Sequence, residues 1–391
     1  MTTDNDKRLF LIDAFAMIFR GYYALIRSPR ITSTGIDTSA IFGFTNSLIE
    51  LIRREKPTHL AVVFDVGQAS VRTVDFAEYK ANRSETPEAI KLAIPYIHRI
   101  LKAMHVPILG LEGYEADDVI GTIACKAEKE NYTVNIVTPD KEIAQLVTDK
   151  IKIYKPGLKG AEFEILGVEE VKAKYEIEDP KQVIDFLAMM GDAVDNIPGL
   201  EGVGEKTAKK FLKEYGSIEN LLANTADLKG KIKEKVENSA ERGILSKKLA
   251  TIICDAPIEF HQEQYDLDEP DFEQVKEVFD EIEFRRLYEN LYRAFNQNQV
   301  ARTENQDNST KKNTDNRQPT TDNQTIQLDL FANFEELDQA TTTKSTVSDS
   351  DHLYQYIDSP KAQKVLVQNL LRQKAVSFDT QITSLDELQA A

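Results

Sequence analysis

Acidic residues follow three short apolar runs of the chain. LFLI precedes Asp13, HLAVVF precedes Asp65, and YTVNIV ends shortly before Asp140. Continuous apolar runs of this length are typical of strands that are buried on both faces of a parallel sheet. Because sites in such sheets gather beyond the carboxyl ends of the strands, the sequence predicts that these three carboxylates meet at one sheet edge.

Further acidic residues occupy two predicted helix starts, in GYEADDVIG and MMGDAVDNIPG. Taken singly, each group is explained by the ordinary preference of acidic residues for helix N-termini. Taken together, they can converge on the same sheet edge as the strand-end residues. The predicted cluster consists of Asp13, Asp65, Glu115, Asp117, Asp118, Asp140, Glu142, Asp192 and Asp195.

A cluster of this size requires cations, because like charges at short range raise one another's pKa. Oxygen ligands without His or Cys favour Mg²⁺ or Mn²⁺. Two such ions, about 4 Å apart, can activate water and stabilise the leaving oxygen in phosphodiester hydrolysis. The cluster therefore predicts a nuclease that uses two divalent ions.

The alternation of apolar runs with helix-period segments predicts an α/β fold with a mostly parallel central sheet flanked by helices. Residues 1–175 are expected to form this catalytic domain, and residues 176–296 a helical DNA-binding region. Residues 297–345 are rich in Asn, Gln, Thr and Asp, which favours a disordered linker. Residues 346–391 predict a helix and a strand, too few residues to bury a separate core.

The sequence argues against membrane proteins, disulfide-rich proteins and zinc proteins. No run reaches the roughly 18 apolar residues that cross a bilayer, and the polar start has no signal-type apolar stretch, so we expect a cytoplasmic protein without membrane contact. Cys125 and Cys254 are the only cysteines, which argues against a disulfide framework or a zinc site. The net charge of -17 is unusual for a DNA-binding protein, but many of the acids belong to the cluster, so the remaining surface permits basic patches.

A glycine-rich turn in NIPGLEGVGEKTAKKFLKEYG separates two predicted helices. The second helix opens with free backbone N–H groups, and its lysines recur at spacings of four and three on one face. This arrangement favours binding to the DNA backbone; a structural helical hairpin with a solvated lysine face is the alternative. The residues involved are Gly199, Gly202, Gly204, Lys206, Lys210 and Lys213.

Two mixtures of aromatic and basic residues are further candidates for DNA contact. In AEYKANRSETPE, Lys80 and Arg83 could contact the scissile phosphate, and Tyr79 could stack on an unpaired base. Upstream, Arg20 and Tyr22 offer a second mixture, for which core packing of the tyrosine is the alternative.

Six motifs, in this order, resemble the 5′ nuclease (flap endonuclease) domain of bacterial DNA polymerase I. They are LIDAFAMIFR, VVFD, EYKANR, GYEADD, TPDKE and GDAVDNIPGLEGVGEKTA, and the resemblance runs over residues 7–296. It implies a PIN-like fold with a helix-hairpin-helix subdomain. It also implies 5′-to-3′ exonuclease and flap-cutting activity on DNA with a 5′ flap, nick or branched end, in primer removal and repair.

The same resemblance implies roles for individual residues. Lys80, Arg83 and Asp117 would be catalytic, with Asp117 shared between two ions. The first ion would be held by Asp13, Asp65, Glu115 and Asp117, and the second by Asp140, Glu142, Asp192 and Asp195. Backbone carbonyls of the glycine turn would hold K⁺ against the duplex.

This chain departs from the family pattern at Glu142, where the family usually has Asp. The end of the chain, VSFDTQITSLD, resembles the opening of a 3′-to-5′ proofreading domain, but Gln381 replaces a carboxylate ligand. Two other functions therefore stay open: a DNA-structure-binding module with impaired cleavage, and a free-standing 5′ exonuclease.

The predicted linker contains QLDLF, which resembles the short peptide that bacterial replication proteins place in the sliding clamp. The residues of this predicted clamp-binding motif are Gln327, Leu328, Leu330 and Phe331. An apolar pair in a polar linker suits such docking, and a transient local helix is the alternative. We expect the protein to be a monomer.

Overall fold

The computed structural model describes residues 7–67, 70–83, 85–155 and 163–307. Its strands are β1 (Arg8–Asp13), β2 (His59–Val63), β3 (Ile108–Leu109), β4 (Thr133–Val137), β5 (Ile151–Lys155) and β6 (Glu164–Leu166). Helices of the strand-containing part are α1 (Ala14–Leu25), α2 (Ser39–Glu55), α3 (Val71–Asp75), α4 (Glu88–Ala103), α5 (Ala116–Lys129) and α6 (Val168–Tyr175). The remaining helices are α7 (Val183–Met190), α8 (Glu205–Tyr215), α9 (Ile218–Ala223), α10 (Lys231–Asn238), α11 (Ala240–Ala250), α12 (Phe272–Glu281) and α13 (Arg285–Asp307).

The six strands form one sheet in the order β3-β2-β1-β4-β5-β6. All neighbours are parallel except β5 and β6, so the predicted mostly parallel sheet is confirmed. The chain moves outward from β1 to β3 on one side and from β4 to β6 on the other. The strand order therefore reverses between β1 and β4, and the crevice beyond their carboxyl ends is the expected ligand position in such a sheet.

The residues of β1 show why the strand sequences are continuously apolar. Leu9 and Leu11 are buried in the core on one face of the sheet, and Phe10 and Ile12 in the core on the other face. Burial of each such side chain contributes about 1.5–3 kcal/mol, so both faces fix the position of the strand. The last residue of this strand is Asp13, which its burial pattern leaves at the edge of the core.

The helices after residue 176 divide between the two faces, which differs from the single helical region predicted for residues 176–296. Side chains of α7, α8 and α11 join the core that contains Leu9, whereas α12 and α13 join the core that contains Phe10. On α12, Val275 and Phe279 recur at helical spacing and are buried beside α4 and α13. The pattern predicts an apolar face, but it does not specify which side of the sheet that face covers.

The boundary predicted at residue 297 is wrong, because α13 continues to Asp307. No Gly or Pro occurs between Asn296 and Asp307, so nothing in the local sequence interrupts the helix. The rest of the predicted linker, the clamp-binding motif and the segment with Gln381 lie outside the described residues. Within the part of the chain that the structure describes, no helix is long and apolar enough to cross a membrane.

Candidate active site

The carboxylates of Asp13 and Asp65 extend from neighbouring strand ends. Asp13 caps α1 by accepting a hydrogen bond from the Ala16 N–H at 3.1 Å, and its other oxygen accepts from the Thr138 hydroxyl at 3.1 Å. Asp65 follows β2 and accepts from the Ala116 N–H at 2.8 Å, at the start of α5. These bonds fix both carboxylates in the crevice at the edge of the sheet.

Glu115 precedes α5 and is surrounded by donors. It accepts hydrogen bonds from the Ser70 hydroxyl at 2.9 Å, the Tyr79 hydroxyl at 3.1 Å and the Lys80 ammonium at 2.8 Å. Burial alone would raise the pKa of Glu115, but Lys80 and Arg72 together lower it below its usual value. Glu115 is therefore held as an anion.

In four other carboxyl groups the pKa is raised, whereas that of Glu115 is lowered. Burial, followed by repulsion from Asp65 and Asp140, raises the pKa of Asp13 to about 7. Burial and repulsion from Asp140, Asp13 and Glu142 raise the pKa of Asp117 well above its usual value. The pKa values of Asp140 and Glu142 are also raised, in each case chiefly by burial. Because such repulsion acts over short distances, these groups lie in one anionic cluster.

Glu142 is the most deeply buried of these four residues. It begins a short 3₁₀ helix, Glu142–Leu146, and only 4% of the residue is exposed. Its Oε1 atom is buried and has no hydrogen-bond partner among the residues that the structure describes, a condition that costs about 1–3 kcal/mol. Native proteins rarely retain such an atom without a functional reason, and an oxygen-binding cation would satisfy it. The donor set of the crevice thus fits a hard divalent cation.

The loop between α7 and α8 brings two more carboxylates to the crevice. Gly191 and Gly199 have φ values of +77° and +64°, in the left-handed region that favours glycine. A Cβ atom on Gly199 would lie 2.6 Å from the backbone nitrogen of Gly191, so only glycine allows the two ends of the loop to meet. This closure turns Asp192 and Asp195 inward, and both are more than nine-tenths buried.

Cationic side chains neutralise part of the cluster. Lys141 lies 2.8 Å from Asp192, Arg83 lies 2.5 Å from Asp195, and Lys80 lies between Glu115 and Asp195, at 2.8 and 3.9 Å. Among the described residues, no three His, Cys, Asp or Glu side chains form a group that could hold a metal ion as they stand. Binding of an ion would require some of these carboxylates to exchange their Lys or Arg partner for it.

Asp118 does not belong to the cluster, so its predicted role as a metal ligand is wrong. Both of its oxygens accept hydrogen bonds from Arg72, at 2.7 and 2.8 Å, and the residue is 1% exposed. Arg72 also donates to the carbonyls of Leu249 and Thr251, which ties α5 to the end of α11. Arg72 is not among the residues that the sequence predicts, because its partners are distant in the chain and leave no local pattern.

Two predicted DNA contacts are also contradicted. Tyr79 is 2% exposed and donates to Glu115, so it cannot stack on a base and instead positions this carboxylate. Arg20 is buried, which does not suit contact with a DNA backbone. Tyr22 is half-buried and packs edge-on against Tyr23 at 5.2 Å, in agreement with the core-packing alternative.

The glycine turn before α8 has the geometry that its sequence predicts. Gly202 has a φ of +74°, and Gly204 immediately precedes the helix. Lys206, Lys210 and Lys213 are exposed on one helical face. The exposed start of the helix and three exposed lysines therefore lie together, after the loop that carries Asp192.

Fold and site together define a class: a doubly wound α/β domain with a carboxylate-lined crevice at its switch point, joined to helices with an exposed lysine face. Two family models match this chain. The model described as 5′-3′ exonuclease, N-terminal resolvase-like domain, matches residues 8–176. The model described as 5′-3′ exonuclease, C-terminal SAM fold, matches residues 178–273.

Two relatives extend this match. The 5′-3′ exonuclease of Aquifex aeolicus is 38% identical over 291 residues, which cover 74% of this chain and 97% of the relative. DNA polymerase I of Bacillus subtilis is 40% identical over 289 residues, which cover 73% of this chain and 32% of the relative. The chain therefore belongs to the 5′-3′ exonuclease family and is an enzyme of that family; it spans about a third of the polymerase relative's length.

A solved structure has the same fold. The bacteriophage T5 D15 flap endonuclease, in a complex with DNA and metal ions, matches with a TM-score of 0.50 and 20% sequence identity. The match covers 73% of this chain and 98% of that chain. The predicted PIN-like 5′ nuclease fold is thus confirmed.

Proposed function

We propose that this chain hydrolyses phosphodiester bonds in DNA that has a 5′ flap, a nick or a branched end, with two Mg²⁺ or Mn²⁺ ions. The observation that carries the proposal is the anionic cluster at the sheet edge, in which the pKa values of Asp13, Asp117, Asp140 and Glu142 are raised and the buried Glu142 Oε1 atom has no partner among the described residues. Divalent ions, when bound, would activate water and stabilise the leaving oxygen. The T5 structure, which contains DNA and metal ions, supports this proposal.

The carboxylates divide into two sets by position. The first set extends from β1, β2 and the start of α5, and the second from the segment after β4 and the loop before α8. The first set would consist of Asp13, Asp65, Glu115 and Asp117, and the second of Asp140, Glu142, Asp192 and Asp195. Asp117 is repelled by members of both sets, Asp13 and Asp140, which suits a ligand shared between two ions.

Lys80 and Arg83 would hold the scissile phosphate. Burial would lower the pKa of Lys80, but Asp195 and Glu115 raise it, so the side chain stays charged. Arg83 is half-exposed at the rim of the crevice, where a phosphate can reach it. Both cations contact carboxylates of the proposed ion sites, so ion binding would release them to phosphate.

The DNA duplex would bind to the glycine turn and the exposed face of α8. Gly202 and Gly204 allow close approach of a phosphate to the start of the helix, and Lys206 and Lys210 add charge beside it. Backbone carbonyls of this turn would hold a K⁺ ion against the duplex. This duplex site is separate from the crevice, so it would set affinity rather than the rate of the chemical step.

We also infer that this chain belongs to a longer protein and has a protein partner. The chain would be the N-terminal portion of a bacterial, cytoplasmic DNA polymerase I that acts as a monomer in primer removal and repair, and Phe331 and its neighbours would dock in the sliding clamp. The polymerase relative supports this reading, and the Aquifex relative supports the free-standing alternative. Binding of the clamp to the wild-type chain, but not to Phe331→Ala, would support docking; equal binding to both would reject it.

The central experiment uses a 5′-flap oligonucleotide and Mg²⁺. We expect the wild-type chain to cut at the base of the flap, and Asp117→Asn to bind the flap without cutting it. The matched control is Asp149→Asn, an exposed aspartate before β5, which should cut at the wild-type rate. If the wild-type chain binds but does not cut, the DNA-structure-binding module is correct and the proposed nuclease is not.

A further inference from the structure

Two segments that carry opposite charges meet at the mouth of the crevice. Residues 78–83 carry Lys80 and Arg83, and residues 191–197 carry Asp192 and Asp195. They are more than a hundred residues apart in the chain, so the distance from the cations to the carboxylates depends on contacts in the folded protein, including those between the two segments.

Packing buries only part of each segment. A cleft of about 750 Å³ opens beside them and is lined by residues of both, including Glu78 and Ala193. Tyr79, Asp192, Asp195 and Ile197 are buried, whereas Ala81, Asn82, Ala193 and Val194 are exposed. The exposed parts of the two segments are therefore held chiefly by polar bonds between them.

Two asparagines form reciprocal bonds across this junction. The Asn82 Nδ2 atom donates to the carbonyl of Ala193 at 2.6 Å, and the Asn196 Nδ2 atom donates to the carbonyl of Glu78 at 2.7 Å. A backbone bond from the Lys80 N–H to the Asp195 carbonyl, at 3.0 Å, lies between them. Each asparagine thus binds the backbone of the opposite segment, next to a charged residue of the crevice.

We propose that Asn82 and Asn196 form a clasp of positioning residues, which holds the backbone segment of the phosphate-contacting cations against the segment that carries Asp192 and Asp195. The expected effect on flap cutting rests on the proposed nuclease function. The expected effect on the contact between the two segments does not. Neither amide would contact DNA or the reacting atoms. The backbone of Asn196 supports this role, since its φ of +56° is in the left-handed region that Asn tolerates better than most residues.

The test uses Asn82→Ala and Asn196→Gly. Glycine is chosen at residue 196 because it removes the amide and keeps the left-handed backbone free of strain. The matched control is Asn224→Ala, which removes a bond of 2.8 Å from the Asn224 amide to the Asn220 carbonyl, within one helical segment. Asn82→Gln keeps the amide donor and serves as the conservative variant.

We expect each clasp variant to lower kcat for flap cutting about 10- to 100-fold, the usual effect of losing a group that orients a ligand, with little change in KM. Asn82→Gln should recover part of the rate, and Asn224→Ala should match the wild type. The double variant should lose less than the product of the single losses, because both amides hold one junction.

Hydrogen exchange, measured by mass spectrometry, provides a readout that does not require activity. Asn82→Ala should speed exchange in residues 191–197, and Asn196→Gly should speed it in residues 78–83. Faster exchange confined to the substituted segment, or a kcat equal to that of the wild type, would overturn the clasp. A wild-type chain that does not cut would reject the nuclease, while the exchange result would still decide whether the clasp exists.

Discussion

Asp13→Asn should stabilise the metal-free protein at neutral and alkaline pH. The pKa of Asp13 rises from 3.8 to about 7 on folding, because the folded protein buries the carboxyl and places it near Asp65 and Asp140. A raised pKa means that the folded state disfavours the anion. The wild-type protein should therefore lose stability as the pH rises from about 4 towards 7, and this loss should be complete above 7.

The magnitude follows from the size of the shift. At about 1.4 kcal/mol for each pKa unit, the change from 3.8 to about 7 corresponds to a destabilisation on the order of 4 kcal/mol above pH 7. The amide oxygen that Asp13→Asn introduces can still accept from the Ala16 N–H, so the substitution removes the charge and keeps the helix cap.

Urea denaturation in excess EDTA, between pH 4 and pH 8, measures this effect. The stability of Asp13→Asn relative to wild type should increase across that range and become constant above pH 7. Asp149→Asn, at an exposed position, should show no such trend. Addition of Mn²⁺ should stabilise the wild type and not the variant, by about 2.7 kcal/mol at 100 times the dissociation constant. A difference between variant and wild type that is the same at every pH would refute the reasoning.

Three other substitutions test separate features. Arg72→Gln should lower stability by about 3–5 kcal/mol in urea denaturation, since it leaves the buried Asp118 carboxylate unpaired, and adding Asp118→Asn should recover part of the loss. Gly199→Ala should lower the melting temperature and abolish flap cutting, because its Cβ would lie 2.6 Å from a backbone atom at a φ of +64°; a variant with wild-type activity would contradict this. Lys206→Ala with Lys210→Ala should leave kcat unchanged, raise KM, and reduce the slope of log affinity against log salt by about 2.

The sequence predicts the strands and the strand-end carboxylates well, because burial on both sheet faces produces a continuous apolar run. Asp13, Asp65 and Asp140 each stand at or after such a run, and the parallel topology brings them together. The glycine turn is predictable for a similar reason, since it depends on local backbone conformation. Both the apolar runs and the glycine turn depend on residues that are close in the sequence, so they can be recognised without knowledge of distant partners.

Partners that are distant in the chain cannot be read from such patterns. Asp117 and Asp118 are adjacent acids at a helix start, but α5 turns one toward the crevice and the other toward Arg72. Tyr79 is adjacent to Lys80 in the predicted DNA-contact segment, yet it is buried beneath Glu115. The direction of each side chain depends on packing between elements, which a single sequence does not specify.

Titration of the metal-free chain with Mn²⁺, followed by electron paramagnetic resonance, tests the central claim most directly. We predict two saturable ions per wild-type chain, and loss of at least one in Asp117→Asn, with Asp149→Asn unchanged. The absence of saturable binding to the wild type, or equal binding to wild type and Asp117→Asn, would contradict the assignment of the buried carboxylates as the metal site of this nuclease.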